Sequence, residues 1–278
     1  MGLTINTNEV SLAAQRHLDV TNNRFKGTIQ RLASGSRIVQ ASDDPAGLAI
    51  SDNLNATIRS LGAATRNAQD GISLIQVYEG GTNEINNMLV RVRELSMQAA
   101  SDTIGDRERG MLDNEVQQLK EEMNRVARST KFGGRELLSG EGNNIEFQVG
   151  TNNEAEVDRI EFNPGDTDLR NQALGVANIS VLDKESARDN LDVLDEALLK
   201  VNEIRARVGS AQTRLNTVVS SQQIFAENLT AARSRIKDAD IAQESSNLAK
   251  DTILRQAGVA VLAQANQTPA LALSLLRA

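Results

Sequence analysis

The chain has no cysteine and no tryptophan, and only one tyrosine, one histidine and three prolines in 278 residues. Without cysteine there is no disulfide, no thiolate nucleophile and no thiolate metal site. With His17 as the sole imidazole, a catalytic triad has a single candidate base and a multi-histidine metal centre lacks ligands. Aromatic residues make up 2% of a chain that is 40% hydrophobic. The core must therefore be built from Leu, Ile, Val and Ala, the composition of helices packed side by side and not that of a mixed enzyme fold. No run of about eighteen apolar residues is present to span a bilayer. The start, Met1-Gly-Leu-Thr-Ile-Asn6, has neither the basic head nor the apolar body of a cleaved leader, and Asn6 stands where a myristoylation start wants Ser or Thr. The expectation is a soluble, unprocessed chain that does not enter membranes.

The net charge of −7 is unevenly spread. Residues 141–200 hold fourteen Asp and Glu against five Lys and Arg, a local net of −9 that leaves +2 for the remainder. So acidic a stretch belongs where water and counterions reach it. No basic block and too few stacking rings exist for nucleic acid.

The prolines stand at 45, 164 and 269, leaving long intervals free of helix breakers. From Ile50 a stripe runs through Leu54, Ile58, Leu61, Ala64, Ala68, Ile72, Ile75 and Tyr78 at a mean step of 3.5, the coiled-coil period. It continues through Thr82, Ile85, Leu89, Val92, Ser96 and Ala99, with Gly80-Gly81 expected to bend it. A second stripe is Leu112, Val116, Leu119, Met123 and Val126, followed by a turn at Lys131-Phe-Gly-Gly134. A third reads Leu194, Val201, Val208, Leu215, Gln222, Leu229 and Ile236 at seven-residue intervals. Its companion seam, Leu198, Val219 and Ala226, is interrupted by Arg205, Gln212 and Arg233. One helix over 187–237 would extend roughly 75 Å and would need partners along its length.

Between the stripes, Ile145, Phe147 and Val149 alternate with polar residues, and Val157, Ile160 and Phe162 follow a polar turn. This predicts a hairpin with one wet face. Residues 163–185 look like an exposed crossover. Asp44 before Pro45 is a helix cap with proline in the first turn, and Thr268-Pro269 repeats the device. Both ends carry amphipathic faces: Ala14, Leu18, Phe25, Ile29 and Leu32 near the start, and Ile241, Leu248, Leu254, Ala257, Val261 and Ala265 near the other end. Such segments cannot bury a stripe alone and gain order only by packing, which is what an assembling subunit needs.

Catalysis finds no foothold. There is no P-loop, nucleophile elbow or His-Glu-x-x-His, and no calcium loop in the acidic stretch. The acid pairs Asp43-Asp44 and Glu121-Glu122 read as a helix cap and a solvated face. No enzyme activity and no cofactor are expected. Arg91, Arg93 and Glu94 lie among heptad apolars as the flank of a coiled coil.

Several stretches resemble bacterial flagellin. They are Ile5-Asn-Thr-Asn8, Arg31-Leu-Ala-Ser-Gly-Ser-Arg-Ile38, Asp43-Asp-Pro-Ala-Gly-Leu-Ala-Ile-Ser51 and Val92-Arg-Glu-Leu95 in the first half. In the second they are the run from Ile253-Leu-Arg-Gln-Ala-Gly258 to Asn266 and the closing Leu273-Ser-Leu-Leu-Arg277. The resemblance covers nearly the whole length, except that about twenty crossover residues stand where large flagellins insert outer domains. It implies a mainly α fold, an elongated antiparallel coiled-coil bundle with a small β-hairpin. Residues 1–45 with 238–278 would form an inner terminal domain in a filament core. Residues 46–165 with 186–237 would form a middle bundle carrying the hairpin at 143–163, with 166–185 as the short crossover.

The implied function is that of a structural subunit polymerising into a flagellar filament for swimming. It would be secreted through the flagellar export apparatus with a chaperone and assembled outside the cell beneath a filament cap, next to hook-associated proteins. Inner-domain packing falls to Leu18, Phe25, Ile29, Leu32, Leu248, Leu254, Ala257 and Val261. Arg91, Leu95 and Glu115 resemble the positions by which a Toll-like innate receptor recognises flagellins, on a face also used between subunits. The competing readings are a hook-filament junction protein and a soluble dimeric coiled-coil signalling protein.

Overall fold

A computed structural model describes residues 7–141 and 144–275, with the side chains of Asp166 and residues 268–275 left out. The expected features at Met1–Asn6, Asn143 and Arg277 lie outside the described residues. The chain divides into two compact units, residues 57–227 and residues 1–56 with 228–278. Seven α-helices and four short strands occur among the described residues: α1 Glu9–Ser34, α2 Pro45–Ala99, α3 Asp106–Ser129, β1 Lys131–Phe132, β2 Arg135–Glu136, β3 Ile145–Gln148, α4 Ala155–Asp158, β4 Arg159–Phe162, α5 Asn171–Leu174, α6 Lys184–Lys237 and α7 Ile241–Leu275. The break between units falls inside α2 and α6, about ten residues from the expected borders at 45 and 238, which coincide with the start of α2 and the end of α6.

In the unit of residues 57–227, α2 buries Leu61, Ala64, Ala68, Ile75, Tyr78, Thr82, Ile85, Leu89, Val92, Ser96 and Ala99, the three-and-four stepping expected of a coiled-coil seam. Gly71, not Ile72, fills the fourth step. A Cβ there would lie 3.0 Å from the Phe147 ring, so the hairpin seats its ring on bare helix backbone. Gly80-Gly81 does not interrupt α2. Gly81 is a close-approach site, where a Cβ would come 2.6 Å from Leu138.

On α6 the buried seven-residue series Leu194, Val201, Val208 and Leu215 stands as expected. Leu198 and Val219 of the expected companion seam pack against the core, but the more deeply buried seam is another: Ala197 and Ile204 are buried, and Ala211 and Val218 pack against the same core. That seam lies three residues on from the first series, not four, and it is apolar throughout, which removes the interruptions at Arg205 and Gln212. Gln222, the polar member of the series, is buried. It accepts from Thr65 Oγ1 at 3.0 Å and donates to the Val149 carbonyl.

The turn at Gly133-Gly134 joins β1 to β2, both glycines at positive φ, as a two-residue hairpin requires. The main hairpin pairs β3 with β4 in antiparallel register, Ile145 opposite Phe162 and Phe147 opposite Ile160. Its apolar face is buried and Glu146 and Glu161 are exposed. Val157 departs from the expected strand. It sits in the single helical turn α4, 71% exposed, because the buried Asp158 carboxylate caps the Glu154 amide at 3.0 Å and curls the chain there.

The expected exposed crossover is instead a packed strap. Leu169, Leu174, Val176, Ile179 and Val181 are buried, while Asp183, Glu185, Asp189 and Asp192 face water. The strap is held by a polar ladder on one face of α3. Asp113 accepts from the Val181 amide at 2.8 Å, Lys120 donates to the Ile179 carbonyl at 2.8 Å, and Asn124 accepts from the Asn171 amide at 3.2 Å. Burial lowers the pKa of Lys120, opposed by the nearby Asp113.

In the other unit, α1 packs against α7. Asn8 caps α1 through the Ser11 amide at 3.0 Å, and Gly35 closes it in the left-handed conformation. Asp44 caps α2 through the Gly47 amide at 2.9 Å, while the Asp43 carboxylate accepts from Val39 and Gln40. These backbone bonds, that of Gln40 first, hold the Asp43 pKa below the usual range. Helix α7 is capped by Asp240, which accepts from Ala242 and Gln243, and runs straight past Thr268-Pro269. The expected second cap at Thr268 is therefore mid-helix.

Candidate functional site

The residues expected to mediate packing converge on the α1–α7 pair. Leu18 packs on Gly258, its Cδ1 3.1 Å from where a Cβ would stand. Phe25 lies under the Arg255 guanidinium, 4.2 Å from its centroid. Arg31 pairs with Glu244 at 3.0 Å, and the segment just after α1 is tied to the segment just after α6 by a short antiparallel bridge, Ser36 to Asp238. Toward the other end of the pair Asn8 Nδ2 donates to the Ala265 carbonyl at 2.8 Å, and Ser11 Oγ to Asn266 Oδ1 at 2.8 Å.

These contacts align two helices but cover only part of their apolar faces. Among the described residues of this unit, the buried apolar side chains are Ile38 and Ala265. Leu18, Phe25, Leu32 and Leu248 are half-buried and Ala257 is exposed. Ile29, Leu254 and Val261 remain 43%, 42% and 54% exposed, beside Val10, Leu12, Ile253 and Val259. His17, Leu18, Leu254, Ala257 and Val261 line an open groove along the pair. So large an apolar display on a two-helix unit without a closed core is the signature of a surface awaiting a partner.

The three positions expected for receptor recognition are not equivalent. Arg91 bonds Glu115 at 2.9 Å and Glu94 at 3.1 Å on the surface of α2 and α3. Those carboxylates, Glu115 first, raise its pKa. Leu95 is 0% exposed. It points into the core next to the Val92, Ser96 and Ala99 seam, so a partner reading the folded surface meets Arg91 and Glu115 but not Leu95. The α3 ladder of Asp113, Gln117, Lys120 and Asn124 was missed by apolar periodicity, although its steps of four, three and four follow the same helical rule. Among the described residues, no group of three or more Asp, Glu or His side chains is placed to hold a metal ion, and no helix is long and apolar enough to cross a membrane.

The model of the bacterial flagellin N-terminal helical region matches residues 5–143, and that of the C-terminal helical region matches residues 191–276. A flagellin of Halalkalibacterium halodurans is 39% identical over 99% of this chain and 100% of its own length. The chain belongs to the flagellin family. The flagellin of Bacillus subtilis is 36% identical over 99% of this chain and 100% of its own, and a flagellar filament 30.7 kDa core protein of Treponema maltophilum is 37% identical over 95% and 96%. Among solved structures, Bacillus cereus flagellin aligns with a TM-score of 0.51 at 30% identity, covering 56% of this flagellin and 88% of that chain. A putative flagellar hook-associated protein of Vibrio parahaemolyticus shares the fold alone, with a TM-score of 0.58 at 12% identity over 70% of this chain and 100% of that one. As a flagellin, the chain is a structural subunit of the flagellar filament.

Proposed function

We propose that polymerisation is driven by completion of the α1–α7 unit: neighbouring copies cover the apolar faces that one copy leaves open. The observation carrying this reading is the contrast between the closed core of residues 57–227 and the two buried apolar side chains, Ile38 and Ala265, of the terminal unit. The terminal unit is then the filament's inner domain, with Leu18, Phe25, Ile29, Leu32, Leu248, Leu254, Ala257 and Val261 packing between subunits, and the other unit is the middle bundle. The subunit is secreted and works outside the cell, without catalytic activity. Its further partners are an export chaperone, a filament cap and hook-associated proteins. Arg91 and Glu115, as a surface ion pair, are the positions at which an innate receptor would read the free monomer.

Removing residues 238–278 tests the reading: the product should remain a soluble helical monomer and form no filaments. Filaments of that truncation under negative-stain microscopy would defeat it. Leu254→Asp and Val261→Asp place a charge on faces that must desolvate on assembly. Each should block elongation on seeds while the melting of residues 57–227 stays unchanged.

A further inference from the structure

Among the described residues the sheet formed by β3 and β4 has two strands, and its two outer edges are treated differently. The Val149 amide donates to the Asp158 carbonyl at 2.8 Å, which sets the phase of the ladder. The opposed residues Phe147 and Ile160 exchange bonds, as do Ile145 and Phe162, so the backbone groups of Gln148 and Glu161 point away from the partner strand. On the β3 side this outer edge lies against α2, where Asn67 Nδ2 donates to the Gln148 carbonyl at 3.0 Å. On the β4 side nothing among the described residues bonds the Glu161 backbone. Glu161 instead lines a cleft of about 460 Å³ whose other wall is α6, a size within the ~300–1,000 Å³ of ligand clefts. Val208 and Ala211 give that wall an apolar middle, and Arg207 and Arg214 bracket it, about 10 Å apart along the helix. Both arginines are exposed, and Arg214 has no ion pair among the described residues.

We propose that the open edge of β4 and the facing side of α6 form a docking cleft for an extended acidic peptide segment, which adds to β4 as a third, antiparallel strand. The partner residue opposite Glu161 exchanges two backbone bonds with it. The partner's neighbouring residues turn to the other face of the sheet, the face on which Ile160 and Phe162 are buried. There an apolar side chain covers Val208 and Ala211. Acidic side chains two residues to either side of it share that face and stand ~14 Å apart in an extended chain, a span that flexible side chains close onto the two arginines. The guanidiniums select carboxylates through forked, charge-assisted bonds. Opposite Glu161 itself a neutral residue belongs, because a like charge directly across a strand pair is destabilising. None of these groups belongs to the α1–α7 pair, so the docking does not depend on the filament reading.

The probe is the blocked pentapeptide Glu-Thr-Val-Thr-Glu, titrated at low salt into dilute, nitrogen-15-labelled full-length monomer while amide chemical shifts are followed. The Glu161 amide should shift in a saturable way. Methylating the backbone nitrogens of both threonines removes the donors to the strand edge and should weaken binding at least about tenfold. Replacing both peptide glutamates by glutamine should weaken it several-fold, and so should Arg214→Glu in the protein. Absence of a saturable shift at Glu161, or equal affinity of the methylated peptide, would overturn strand addition. Equal affinity of the glutamine peptide would overturn the acidic class of partner, whatever the fate of the Arg214→Glu variant. A Glu161 shift that grows with protein concentration in the absence of peptide would show a second copy to be the occupant, and would overturn the proposal as well.

Discussion

Tyr78 reports on the middle of the molecule by itself. Its ring meets Phe162 edge-on at 5.5 Å, its hydroxyl donates to the Thr167 carbonyl at 3.2 Å, and burial pushes its pKa up to about 12. A tyrosine whose folded value is raised loses its contribution to stability as pH climbs above the unfolded value of about 10. Tyrosinate absorbance should therefore appear near pH 10 in urea but only close to pH 12, or on unfolding, in native buffer. A native titration at pH 10 would show the ring to be solvated. At Asp113 the stake is the Val181 amide, which that carboxylate alone is seen to satisfy. Asp113→Ala should cost about 1–3 kcal/mol in urea melts, and Asp113→Asn, which keeps an acceptor, markedly less. Gly71 illustrates what a stripe cannot show. Ile72 is the apolar neighbour that a stripe picks out, but the three-and-four stepping falls on Gly71, where the ring of Phe147 seats against a residue with no side chain.

Among elements, the long helices were legible because their apolar residues recur faithfully over many heptads, and α2, α3 and α6 follow the expected limits closely. The hairpin was legible from alternation, apart from Val157, where a carboxylate cap and not side-chain pattern decides the backbone. The strap of residues 164–183 was not legible. Its apolar residues have no single period, since Ile179 and Val181 are placed by backbone bonds to α3 side chains, Leu169 by a bond to the Leu138 carbonyl, and Leu174 and Val176 by bonds within the strap. The companion seam of α6 was missed through a choice between steps of three and four, which periodicity alone leaves equal until Arg205 and Gln212 are seen to lie off the core. Arg93 of α2 bonds Asp195 of α6 at 2.6 Å, Lys184 at the start of α6 bonds Asp102 of the α2–α3 connection at 2.5 Å, and these cations hold both carboxylates below their usual range. Depressed carboxylates contribute fully at neutral pH and lose that contribution as pH falls through their folded values. The thermal midpoint should drop on acidification below the ordinary carboxylate range, and Arg93→Gln should flatten part of that drop. An identical acid profile in the variant would show the pair to be inert. Because both groups are exposed, the effect should also shrink with added salt.

For the whole molecule, the contrast between units is the decisive feature, and it was legible only in part. Amphipathic ends rich in Asn, Gln, Ser and Thr pointed to order on association, yet the side chains that stay open, Ile29, Leu254 and Val261 among them, emerge only once α1 and α7 are paired. Two expected positions for the same partner can also part company in three dimensions, as Leu95 does from Arg91 and Glu115. Hydrogen exchange on dilute monomer should find fast-exchanging amides in α1 and α7 and slow ones in the cores of α2 and α6. Equal protection throughout would mean that the terminal pair is stable alone. The bond from Asn8 to Ala265 spans 257 residues of sequence. Everything that α1 touches in α7 is therefore made long after it, and a nascent chain must carry α1 without a mate while α2 through α6 are synthesised.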